Sequence, residues 1–163
     1  MTEATLTTSN GVLLFLYDFS YLAIKRNIDG VTHADSLICP PNGGNNMNWV
    51  LGHILTHRSF ILELVKEQPL WSEGDGAPYA TRSKPLETRD ARPFDSMVKD
   101  LEATQERLKR GLENLPPEEL DLKHEEGAKR PRGAQLHFMH FHESYHSGQL
   151  GVLRRVVGKP GAM

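Results

Sequence analysis

The sequence predicts an all-α chain of four main helices. Apolar residues recur at helical spacing in four stretches of about twenty residues, and clusters of Pro and Gly separate those stretches. There is neither an internal repeat nor a low-complexity tract. At 163 residues the chain can bury one core and is too short for two ordinary ones, so residues 1–163 read as a single domain.

The first helix is expected from about Thr8 to Ile28, where Leu13, Leu14, Leu16, Tyr17, Tyr21, Leu22 and Ile24 form a broad stripe that stops at Asp29-Gly30. Residues 32–46 contain Cys39-Pro40-Pro41-Asn42-Gly43-Gly44 and read as a loop, with a brief strand or turn open at Ala34 to Ile38. The second helix spans Met47 to about Lys66 on Trp49, Val50, Ile54, Leu55, Phe60, Ile61, Leu64 and Val65, with Asn45 or Asn46 as its N-cap. Residues 68–93 carry Pro69, Gly74, Gly76, Pro78, Pro85 and Pro93 and form a long irregular connection, of the kind that is functional or wraps the body as a crossover. The third helix, Phe94 to Leu115, has one face of Met97, Val98, Leu101, Leu108 and Leu112 and ends at Pro116-Pro117. The fourth runs from about Arg132 to Val157 without an internal Pro and stops at Gly158-Lys159-Pro160-Gly161.

Composition excludes several function classes. A net charge of −2 and a pI near 6.4, with scattered basic residues, give no footprint for nucleic acid. No apolar run approaches the roughly 20 residues that cross a bilayer, and the N-terminus lacks the charge and apolar pattern of a signal peptide. The single cysteine, Cys39, permits neither an intrachain disulfide nor a cysteine-based zinc site, which is the pattern of a cytoplasmic protein.

Eight histidines carry the chemistry. In His142-Glu143-Ser144-Tyr145-His146 a four-residue step on a helix aims His142 and His146 in one direction, a metal-ligand spacing. His53 lies on the second helix in an apolar context after Gly52, which allows close approach of another element. Three imidazoles meeting inside a bundle leave coordination positions open on a divalent ion. The competing reading is that His142 and His146 are packed neutral imidazoles. His57 repeats the four-residue step from His53 but ranks lower because the Arg58 cation is beside it. His137 and His140 read as surface or packing residues, His33 and His124 as exposed. The aromatics Trp49, Phe138, Phe141 and Tyr145 are expected in the core, with a pocket lining as the rival. Gly148 and Gly151, costly inside a helix, suggest close helix approach.

The motifs Asn48-Trp49-Val50-Leu51-Gly52-His53 and His142-x-x-x-His146-x-Gly148-Gln149 resemble, in that order and separation, the DinB/YfiT-like metalloenzyme superfamily. The resemblance implies an up-up-down-down four-helix bundle with a long crossover between helices 2 and 3, a divalent metal on His53, His142 and His146, and a homodimer. Zinc or nickel is the expected metal, with iron or manganese as alternatives. It further implies a metal-dependent S-transferase that activates a low-molecular-weight thiol toward a small-molecule substrate. Two alternatives stay open: a non-enzymatic metal-binding or stress-associated protein, and a hydrolase using metal-activated water. For the hydrolase, Glu143 is a poor base because it lies about 100° around the helix from His142; it is expected to face a neighbouring helix or solvent, or to hold a ligand histidine.

Overall fold

The computed structural model describes residues 9–83, 86 and 88–162. The helix start expected at Thr8 and the breaker Pro85 lie outside the described residues. Six α-helices follow in order: α1 Ser9–Ile28, α2 His33–Ser36, α3 Met47–Leu64, α4 Glu73–Gly76, α5 Phe94–Asn114 and α6 Arg132–Val156. The four long ones are the four expected, and no strand occurs among the described residues.

Their caps have local causes. Asn46 accepts the Trp49 N–H at 2.9 Å and starts α3. The connections are more ordered than the breakers suggested. Thr32 with Asp35 and Ser72 with Asp75 each form a capping box, so the helical turns α2 and α4 stand in segments read as loops.

The helices α1 and α3 each pack against both α5 and α6. Residue pairings fix the directions. From α1 to α6, Tyr17 bonds the Leu136 carbonyl, Ser20 bonds Glu143 and Asn27 bonds the Ser147 carbonyl, so these helices are parallel. Between α3 and α6 the order reverses: Arg58 pairs with Glu143, while Arg132 reaches the Leu64 carbonyl and His53 meets His142. Asn48 bonds Arg92 just ahead of α5, and Arg58 bonds Gln105 farther along it, which makes α3 and α5 parallel. The course is therefore up-down-down-up, not the up-up-down-down that the resemblance implied. The physical reason lies in the connections. Residues 29–46 and 115–131 join antiparallel helices, whereas the longer segment 65–93 must return the chain along the bundle to start a parallel helix.

The core is divided by a polar layer. One apolar cluster gathers Ile24, Leu51, Ile54, Met97, Leu101 and Leu150; the other gathers Leu13, Tyr17, Ile61, Leu108, Leu112 and Leu136. Between them each long helix supplies buried polar residues: Ser20, Arg58, Thr104 with Gln105, and Glu143. Arg58, 1% exposed, gives two 2.8 Å bonds to the Glu143 carboxylate and one of 2.9 Å to Gln105 Oε1. Ser20 donates to Glu143 at 2.5 Å, and Gln105 donates to Asp18 at 2.8 Å. This network ties all four long helices at mid-height, and each member satisfies a group that burial would otherwise strand.

The aromatic stripe of α6 departs from expectation. Phe138, Phe141 and Tyr145 are exposed rather than in the core, while Trp49 is buried. Gly151 lies against the Asn27 side chain, but nothing approaches the position a Cβ would take on Gly148, so close helix approach explains only the first.

Candidate metal centre

Helical geometry separates the polar layer from the histidines. Adjacent residues on a helix point about 100° apart, so Arg58 and Glu143 turn toward each other while their neighbours His57 and His142 point into a different part of the seam between α3 and α6. The ranking of His57 below His53 on account of Arg58 loses its basis, because that cation is consumed by Glu143.

Four imidazoles converge there. His53 Nε2 lies 3.3 Å from His142 Nε2, which in turn lies 3.2 Å from His146 Nε2. Ligand atoms of His53, His57 and His142 all fall within 4.8 Å of one another. The His53 and His146 rings are 4.6 Å apart between centroids, and those of His57 and His142 are 4.3 Å apart. Two overlapping triads thus share His53 and His142.

Outer hydrogen bonds fix the tautomers. His53 Nδ1 sits 2.7 Å from the Tyr79 carbonyl, which only an N–H can satisfy, so the Nε2 lone pair faces the seam. His146 Nδ1 is held the same way by Gln149 Oε1 at 2.8 Å. The lone pairs of His53 and His146 therefore both aim at His142 Nε2, which has at most one hydrogen to offer. A cation resolves that convergence. A tetrahedral ion with bonds of roughly 2.0–2.1 Å puts neighbouring nitrogens about 3.3–3.4 Å apart, close to the two separations observed.

The electrostatics agree. Burial, reinforced by the neighbouring imidazoles, pushes His57 down to about 3. Burial likewise lowers His146 to about 4, against the opposing bond from Gln149. His53 and His142 are lowered for the same main reason. All four are neutral at neutral pH, the form that binds metal. His57 and His142 are half-buried and keep the cluster within reach of solvent.

The crossover builds the wall of the site. The Tyr79 ring packs directly over Gly52, where any Cβ would overlap it, and this approach brings the Tyr79 carbonyl to His53. Trp49 stacks on His53 with centroids 4.7 Å apart. Tyr79 is a functional residue that the sequence did not single out, and Gln149 stood in the motif without an assigned role. Gln149 carried a signal, one turn beyond His146 on the same face; Tyr79 carried none, because its backbone carbonyl is what acts.

The remaining histidines lie elsewhere. His140 bonds the Leu16 carbonyl at 3.1 Å as a packing residue, and His33 and His137 are exposed. His124 is half-buried against Phe60 rather than exposed. Glu143 faces neighbouring helices, bound to Arg58 and Ser20.

A helical bundle with a polyhistidine cluster in the seam between two of its helices defines a class: metal-binding four-helix proteins. The DinB superfamily model matches residues 24–150, and the chain belongs to that superfamily. A search of curated proteins gives no match. The donor set suits a divalent metal, and no helix among the described residues is long and apolar enough to cross a membrane.

Proposed function

We propose that the protein is a metal-dependent S-transferase that activates a low-molecular-weight thiol and joins it to a small electrophile. The observation that carries this reading is the convergence of neutral imidazole lone pairs at His142, on a side of the bundle open to solvent. His53, His142 and His146 would hold the ion, with zinc or nickel favoured by an all-imidazole set and iron or manganese as alternatives. A divalent ion bound there supplies a Lewis acid that favours thiolate over thiol near neutral pH. The protein's own part is positional: the Tyr79 carbonyl and Gln149 orient two imidazoles, and the buried Trp49 shields His53 from water. The transfer forms a sulfur–carbon bond and expels the leaving group of the electrophile with its electron pair, while the thiol proton passes to solvent. The reading includes a cytoplasmic location and a homodimer, the latter supported by the exposed apolar side chains Phe19, Leu22 and Phe141 on α1 and α6.

A second reading has its own support. His57 stands in one compact group with His53 and His142, and a shell that held both it and His146 would be closed and would suit a structural or metal-sensing role. The hydrolase alternative has lost its base, since both carboxylate oxygens of Glu143 are committed to Arg58.

The test combines metal analysis with turnover. Elemental mass spectrometry should find near-stoichiometric metal that His53→Ala removes. Loaded protein should then accelerate thioether formation between a small thiol and monochlorobimane, releasing chloride. Stoichiometric metal without acceleration across a panel of thiols would favour the non-enzymatic reading; metal retained without His53 would sink the site itself.

A further inference from the structure

Behind His146, on the side away from the histidine cluster, lies a cavity of about 510 Å³. It opens between the loop around Pro40 and Asn45, the first turns of α3 at Val50, and the outer face of α6. The volume falls in the range of small-molecule sites.

Its chemistry is restrictive. The described lining contains no Asp, Glu, Lys, Arg or His. Val50, Val152 and Leu153 supply apolar wall, and the polar groups are the neutral side chains of Asn45, Gln149 and Tyr145. An ion seated against this wall would give up part of its hydration and meet no opposite charge in the lining, a penalty that a neutral ligand does not carry. Neutral apolar surface gains from burial there, and the amides and the phenol offer both donors and acceptors.

One wall residue reaches the histidine cluster. Gln149 lines the cavity, accepts from His146 Nδ1 at 2.8 Å and donates to the Tyr145 hydroxyl at 3.3 Å. The Tyr145 ring meets His146 edge-on at 5.1 Å. A molecule that filled the cavity would meet Gln149, the residue that orients His146.

We propose that this cavity binds an uncharged, largely apolar small molecule, and that Gln149 makes its occupancy felt at His146. The proposal does not rest on the transferase reading, because the cavity meets His146 through Gln149 on its Nδ1 side, whereas the other histidines meet its Nε2. Gln149 is a positioning residue in this scheme.

The experiment uses a matched pair of fluorescent probes on the whole chain as purified, with metal content measured alongside. N-Phenyl-1-naphthylamine is neutral, and 1-anilinonaphthalene-8-sulfonate carries the same rings with a sulfonate. The neutral probe should bind with one site and at least tenfold tighter than the sulfonate. Val152→Glu, at a position 65% exposed and so safe for folding, should weaken it tenfold or more. Phe19→Glu, on α1 and outside this cavity, should leave it unchanged. Imidazole nitrogen spectra should show His146 shifting when the neutral probe is added, and no such shift in Gln149→Leu although the probe still binds. Equal affinity for both probes, loss of binding in Phe19→Glu rather than Val152→Glu, or a silent His146 would each overturn the proposal. The His53→Ala variant separates the two ideas: probe binding retained without metal leaves the cavity standing whatever becomes of the transferase reading.

Discussion

The buried clamp at the middle of the bundle gives the sharpest test of how the fold is held. Glu143→Gln preserves shape and removes one charge, leaving the Arg58 guanidinium 1% exposed and without a counterion. Its bonds to Gln105 and Thr104 are to neutral oxygens and do not replace a carboxylate. Breaking a buried pair from one side costs about 3–5 kcal/mol, against a total stability of about 5–15 kcal/mol for a domain. The variant should therefore lose about a fifth or more of its stability, read as a lower urea midpoint with an unchanged slope. Replacing both partners, Arg58→Met with Glu143→Leu, removes the stranded charge and should recover most of the loss, because apolar replacement of a buried pair is often neutral or better. A Glu143→Gln cost below about 1 kcal/mol, or a double variant no better than the single, would refute the argument that charge compensation holds this layer.

Other outcomes follow from the site. Gly52→Ala gains about 1 kcal/mol of helix propensity but drives a methyl into the Tyr79 ring, so overpacking of about 1–3 kcal/mol should prevail and metal affinity should fall as the carbonyl leaves His53; a more stable variant with full affinity would contradict it. His142→Ala should abolish metal binding because its Nε2 neighbours both His53 and His146, whereas His57→Ala should leave most of the metal in place because His53, His142 and His146 remain to hold it, with isothermal titration distinguishing them; loss of the metal in both would put His57 among the ligands. Chelator-treated protein should weaken in acid: the cluster histidines are held below their ordinary value by burial, to about 3 for His57 and about 4 for His146. Unfolded imidazoles take up protons first as pH falls through about 6.5, so stability is full above that pH and is lost progressively toward pH 4. Urea midpoints flat from pH 8 to 4.5 would refute it.

The helices were legible because apolar periodicity is a local property, and α1, α3, α5 and α6 begin and end within a few residues of expectation. The polar layer was not. Taken singly, Ser20, Arg58 and Gln105 carry no sign of burial, and the direction expected of Glu143 stayed open between a neighbouring helix, solvent and a histidine; only pairing across four helices makes them interior residues. Direction was hidden for a related reason: periodicity says which face is buried and nothing about which helix meets it, although the length of residues 65–93 is what a parallel pair requires. On α6 the stripe of Phe138, Phe141 and Tyr145 carried helical spacing into solvent, a reminder that an apolar face need not be an inward one.

The histidine cluster shows where local reasoning stopped short of its own geometry. The sequence held two four-residue histidine steps, one on each of two helices, and discounted His57 because a cation stood next to it. Yet the 100° turn that argued Glu143 away from His142 applies equally to Arg58 and His57. Applied to both helices, it predicts that the two charged residues form one contact while the four imidazoles form another beside it. The structure has that arrangement, with the Arg58–Glu143 bonds on one side of the seam and all four rings on the other. The clamp and the cluster are thus adjacent registers of a single helix pair, and weakening the clamp should loosen the separations on which metal affinity depends. Glu143→Gln should accordingly lower metal affinity although Glu143 touches no histidine.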